Sequence, residues 1–163
     1  MAFIRNYHFG TSDPTGTRSY VKIYCTISET NSRSNNGLGI GRNDRVAIVL
    51  PNGCEMATAF VAVAACATTA PLNPAYTQEE YDYYPSDLNA RALLVVKGSD
   101  SPAVKAAQAR NIRLLELSSD STLPAGSFSI YAKNDSKHDD RQSASKNAGF
   151  AGPDDVALVL HTS

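Results

Sequence analysis

Three apolar runs punctuate the chain, Val46 to Leu50, Ala92 to Val96 and Val156 to Leu160, none interrupted by a polar residue. Runs of this length, rich in β-branched side chains, mark strands buried on both faces. Ile112 to Leu117 predicts a further strand and Thr69 to Leu72 a short one. Helical stretches lie between them. Pro51 ends the first run, and Asn52 stands three residues before Glu55, the spacing of a capping box, so a helix is predicted from about Gly53 to about Cys66. Thr77 and Glu80 repeat that spacing, with Tyr76 and Tyr81 placed as a hydrophobic staple. Pro85 removes a backbone donor from this second helix and predicts a kink, or an end near Tyr84. Ser101-Pro102 opens a third helix that runs to about Arg110. Strands alternating with helices predict an α/β fold with parallel strands joined by right-handed crossovers.

The pattern weakens at two places. Residues 1–37 offer a turn at Asp13, Pro14 and Gly16 and a short helical spacing between Ile23 and Ile27, after which the polar stretch Thr30 to Asn36 removes the apolar face. An amphipathic helix packed on a sheet continues its stripe, so residues 1–37 are expected to form a poorly ordered segment and residues 38–163 the folded part. Between about 132 and 149 the chain turns to Lys, Asn, Asp, Ser, Gln and Ala, which predicts a polar loop. The most apolar stretch, Met56 to Leu72, is rich in Ala and Thr and falls short of a bilayer span. The first ten residues lack the apolar core and cleavage site of a secretory signal.

Composition narrows the classes of function. The 163 residues are 42% hydrophobic and 19% charged, the usage of an ordinary globular domain. With 15 Lys and Arg against 16 Asp and Glu, the net charge is -1 and no basic cluster is dense enough to track a phosphate backbone, so nucleic acid is not an expected partner. Cys25, Cys54 and Cys66 are odd in number and lack metal-ligand spacing, which points to reduced thiols and no metal site.

Several clusters invite a chemical role, and each has a plainer reading. Glu79, Glu80 and Asp82 could be paired carboxylates, but acidic side chains in a first helical turn are explained by the macrodipole. Lys137, His138, Asp139 and Asp140 have a faint metal-ligand look within the most loop-like segment. Tyr76, Tyr81, Tyr83 and Tyr84 could offer a stacking platform, but their helical spacing favours packing. His161 follows an apolar strand, where a histidine is more often packed and hydrogen-bonded than catalytic. No catalytic residue is assigned on these grounds.

Longer blocks are more specific. Leu38-Gly39-Ile40-Gly41, followed by Asp44 to Gly53, resembles the opening strand and turn of the AMP-forming acyl-CoA synthetases, members of the adenylate-forming superfamily. Ala70-Pro71-Leu72-Asn73-Pro74-Ala75-Tyr76-Thr77 with Glu79-Glu80 is similar to their next block. Asp154 to Ser163 is similar to the strand entering their phosphate loop, whose pattern is T-S-G-T-T followed by proline and lysine. Glu55 to Phe60, Ala125 to Phe128 and Ala148 to Pro153 look most like the oxalate-CoA ligase branch. The chain departs from the family at Cys66, where a glycine is usual, at Pro85, where a leucine is common, and over residues 20 to 37, which match the first helix poorly.

The resemblance implies the parallel-sheet N-terminal subdomain of an adenylate-forming enzyme, truncated, with residues 38–163 a partial AMP-binding (AMP-dependent synthetase/ligase) domain. It implies ATP and Mg2+ as cofactors, CoA as co-substrate, and oxalate or another small acid as the carboxylate partner. Thr162 and Ser163 match the first two hydroxyl positions of the phosphate loop and are the cofactor-binding residues carried over. Because the remaining donors and the lysine are needed to hold and neutralise the phosphates, this chain by itself is expected to be inactive. The alternative is a non-catalytic α/β nucleotide-binding or interaction module. A cytoplasmic or peroxisomal setting fits both. An exposed sheet edge after Leu160 is expected to invite self-association, which light scattering reads.

Overall fold

The computed structural model describes residues 10–12, 18–20, 38–119, 122, 125–133 and 149–160. Within the first 37 residues the described pieces are β1 (Gly10–Ser12) and β2 (Arg18–Tyr20), an antiparallel pair that the sequence pattern did not signal. The helical spacing at Ile23 and Ile27 lies outside the described residues, as does most of the segment expected to be poorly ordered.

The body of the fold is a five-stranded sheet in the order β4-β3-β5-β6-β7. Its strands are β3 (Arg45–Val49), β4 (Thr68–Pro71), β5 (Ala92–Val96), β6 (Arg113–Ser119) and β7 (Phe128–Ala132), and α1 (Cys54–Ala64), α2 (Gln78–Asp87) and α3 (Pro102–Ala109) connect the first four. β3 pairs in parallel with β4 and β5, and β5 with β6. The α/β fold with a mostly parallel sheet therefore stands. The strand that the apolar runs did not announce is β7, which pairs antiparallel to β6. Its sequence Phe-Ser-Ile-Tyr-Ala alternates, as an edge strand covered on one face does.

Two apolar layers enclose the sheet. On one face Ala59, Val63 and Cys66 pack with Val46, Ile48, Leu94, Leu115 and Ile130. On the other, Tyr81, Leu88, Val104 and Ala107 pack with Ala47, Val49, Leu93 and Val95. α1 thus covers one face, and α2 with α3 the other. The odd and even positions of β3 divide between the layers, which is why the run has no polar residue.

The helix starts differ in how they are capped. At α2 the capping box forms: the Thr77 N–H donates to Glu80 Oε2 at 2.7 Å, and the Glu80 N–H to Thr77 Oγ1 at 3.4 Å. Tyr76 and Tyr81 meet edge to face with centroids 5.8 Å apart, the expected staple. At α1 the predicted box does not form. The N-cap is Gly53 rather than Asn52, so no side chain caps the helix, and Glu55 Oε1 accepts instead from the Gly126 N–H at 3.4 Å. Gly126 has φ 81°, and a Cβ there would sit 2.6 Å from Thr58 Oγ1, so the turn before β7 can approach α1 only with glycine. α2 continues through Pro85 to Asp87, past the end near Tyr84 that the proline predicted. Proline costs a helix one internal bond, and packing of Tyr81 and Leu88 on either side of it holds the helix across the gap.

Turns into β3, β5 and β6 share a device. Asn43, Asn89 and Asn111 have φ of 67°, 48° and 54°, the left-handed conformation that asparagine tolerates better than most side chains. Beyond two of them an arginine ties loops together: Arg45 Nη1 donates to Leu88 O and Arg113 Nη1 to Leu38 O, each at 2.7 Å.

Candidate functional site

The run Val156 to Leu160 lies against the outer side of β4. Thr69 and Leu158 form a parallel bridge, with the Thr69 N–H donating to Ala157 O and the Val159 N–H to Thr69 O, both at 2.9 Å. The side chains of β4 add to this ladder. Thr68 Oγ1 donates to Val156 O at 2.7 Å and Thr69 Oγ1 to Ala157 O at 2.8 Å. The predicted strand is therefore a single-bridge extension of the sheet rather than a full strand. Its parallel direction brings Leu160 to the carboxyl edge, where Leu50, Leu72 and Lys97 also leave their strands. Thr162 and Ser163, and His161 before them, lie outside the described residues.

The start of the run is held by polar groups. Asn43 Nδ2 donates to Asp155 Oδ1 at 2.7 Å, and the Val156 N–H donates to Asn43 Oδ1 at 3.1 Å. The Gly152 N–H donates to Asp155 Oδ2 at 2.6 Å, and Arg42 Nε lies 3.5 Å from the same oxygen. The Gly152 amide, then the Asn43 side chain and Arg42, hold the Asp155 carboxyl below its ordinary value, against an opposing loss of hydration. The Ala151 N–H donates to Ala65 O at 2.8 Å, tying this segment to the end of α1.

Beside the exit of the run lies the loop from β4 to α2. Tyr81, fully buried, donates its hydroxyl to Asn73 O at 2.7 Å. Burial first, then Tyr76 and Glu80, push its phenol up to about 12. The Ala75 N–H donates to Asn73 Oδ1 at 2.9 Å, closing a local turn. Tyr76 stacks on Tyr84 at 5.0 Å, and both, like Val159, pack against the apolar layer of α2 and α3. The tyrosines act here as packing, and Asp82 as a partner of Arg110 at 2.8 Å. Glu80 is taken up by its cap. The Lys137 to Asp140 cluster lies outside the described residues. Among the described residues no three His, Cys, Asp or Glu side chains gather where a metal ion could sit, and no helix is long and apolar enough to cross a membrane.

The connection after β3 departs to one face and those after its neighbours β4 and β5 to the other. In open α/β sheets the crevice outside the strand ends at such a reversal is where ligands bind. Here it lies at Leu50 to Gly53, ahead of α1.

A sequence profile described as AMP-binding enzyme matches residues 17–163. The chain belongs to the AMP-binding enzyme family. Within it, the chain is 37% identical over 146 residues to an oxalate–CoA ligase of Arabidopsis thaliana, an alignment covering 89% of this chain and 27% of that protein. It is 35% identical over 138 residues to an oxalate–CoA ligase of Saccharomyces cerevisiae, covering 75% and 25%. The fold is similar to that of apo MatB from Rhodopseudomonas palustris, with TM-score 0.59 and 21% identity over 96% of this chain and 30% of that one. The chain spans about a quarter of the length of the curated AMP-binding relatives it matches. The resemblance to acyl-CoA synthetases, and to the oxalate branch in particular, therefore stands.

Asn43, Asp155, Thr68 and Thr69 were not singled out by the sequence. One signal was available: Thr68-Thr69 precede Pro71, and a proline within a strand marks a position near the sheet edge, where hydroxyls can reach a neighbouring run.

Proposed function

We propose that this chain forms the opening part of an AMP-forming carboxylate–CoA ligase, with Thr162 and Ser163 beginning its phosphate loop. In the whole protein a carboxylate attacks the α-phosphate of ATP, releasing pyrophosphate and leaving an acyl-adenylate, and the CoA thiol then displaces AMP. The observation that supports the reading is the parallel docking of Val156 to Leu160 on β4, which ends the described run at the carboxyl edge of the sheet. Identity to two oxalate–CoA ligases supports oxalate, or another small acid, as substrate. Mg2+ would spread the charge of the phosphates. No observation favours the non-catalytic module.

The test is a chimera in which this chain replaces the matching quarter of the yeast enzyme. Oxalate- and CoA-dependent release of pyrophosphate is expected from the chimera and none from the 163-residue chain alone. A folded chimera without turnover would sink the ligase reading, and turnover by the chain alone would sink its inactivity.

A further inference from the structure

Val156-Ala157-Leu158-Val159-Leu160 is aliphatic throughout, with Val, Leu and Leu at positions 156, 158 and 160 and Ala and Val between. Sliding it by two residues along β4 would exchange one aliphatic side chain for another on each face and leave both apolar. Register in a sheet is specified strongly where one face is buried and weakly where it is not, and Val156, Leu158 and Leu160 are 51%, 39% and 60% exposed. A two-residue slip moves the strand by about 6.6 Å and would carry Thr162 and Ser163 the same distance. The run is also reached by a long path. β7 ends at one edge of the sheet and the run docks outside the other, with residues 133–155 between them. Something other than apolar packing must choose the register.

We infer that Asn43 and Asp155 are that register pin, a pair of positioning residues for the strand that leads into the phosphate loop. Both atoms of the Asn43 amide group are used, Nδ2 as donor to Asp155 Oδ1 and Oδ1 as acceptor for the Val156 N–H. The second Asp155 oxygen accepts from Gly152, three residues back. This arrangement recognises one position of the chain, since Asp155 and the adjacent amide must meet Asn43 together. Asn43 is itself fixed by its left-handed turn at the start of β3. The part of the inference that concerns phosphate-loop placement rests on the ligase reading, whereas the pin itself does not.

The test exploits donor and acceptor polarity in the 163-residue chain, read by amide hydrogen exchange. Asp155→Asn, keeping its bond to Gly152, turns an NH2 toward the Asn43 NH2. Asn43→Asp sets two carboxylates against each other. The double variant exchanges the roles, restoring one donor to one acceptor while Val156 keeps an oxygen to donate to, and aspartate also tolerates the left-handed turn. Each single variant is expected to speed exchange over 151–160 by about tenfold or more, with 45–49 unchanged, and the double variant to return it to within about threefold of the parent. Unchanged exchange in the single variants, no rescue in the double, or equal loosening of 45–49 would each overturn the pin. The readout involves no nucleotide, so an inactive chimera with rescue intact would remove the ligase reading and leave the pin standing.

Discussion

Val46-Ala47-Ile48-Val49-Leu50 and Val156-Ala157-Leu158-Val159-Leu160 differ at one position, yet the molecule treats them in opposite ways. In the first, no residue is more than 7% exposed. It has strands on both sides and helices over both faces. The second forms one backbone bridge to the sheet and leaves four of its five residues exposed. Composition therefore does not decide which run is core. Sheet order does, and the outer run is secured instead by hydroxyls and an Asn–Asp pair contributed by distant turns.

The sharpest way to break this comparison is the same truncation in both runs. Ile48→Ala removes fully buried methyl groups and is expected to cost roughly 2–5 kcal/mol, whereas Leu158→Ala, at a 39% exposed site, is expected to cost less than about 1 kcal/mol. Urea denaturation of both variants decides it, and comparable losses would mean that the outer run is core after all.

A second contrast comes from alkali. Tyr81 lies against the central layer with its phenol pushed from an ordinary 10.0 up to about 12. Between those values the unfolded chain loses a proton that the folded chain keeps, so stability falls as pH rises from about 10 to about 12. Tyr81→Phe should flatten that fall in thermal melts, and an unchanged slope in the variant would clear Tyr81 of the effect.

Acid is expected to act on the outer run, with the smallest effect of the three. Asp155 is held below its ordinary 3.8, so its contribution is present above that value and disappears as pH drops through the depressed one. Exchange over 151–160 should quicken there before exchange over 45–49. Simultaneous loosening of both segments would erase the distinction.

Sequence pattern captured what depends on near neighbours. β3 and β5 are legible because a strand covered on both faces needs no polar position, and the start of α2 because Thr77, Glu80, Tyr76 and Tyr81 satisfy one another within five residues. Asn52 and Glu55 have the same spacing, but Glu55 answers to Gly126, 71 residues away, and no local rule reports that. β7 escaped because its alternation is short and follows a turn. The placement of the last run escaped for the same reason as Glu55, its partners being far off in the chain. The proposal for Thr162 and Ser163 rests on family resemblance alone.

The distances along the chain that hid those partners also order the assembly of the molecule. β3, β4, β5 and β6 follow one another with a single helix between each pair, so their contacts close short loops that cost little entropy. The outer run must find Thr68 88 residues earlier and Asn43 112 residues earlier. Non-local pairing of this kind is the slow part of folding. The last apolar run is accordingly expected to dock late, onto a sheet already formed, and to be the first piece to detach when the protein unfolds.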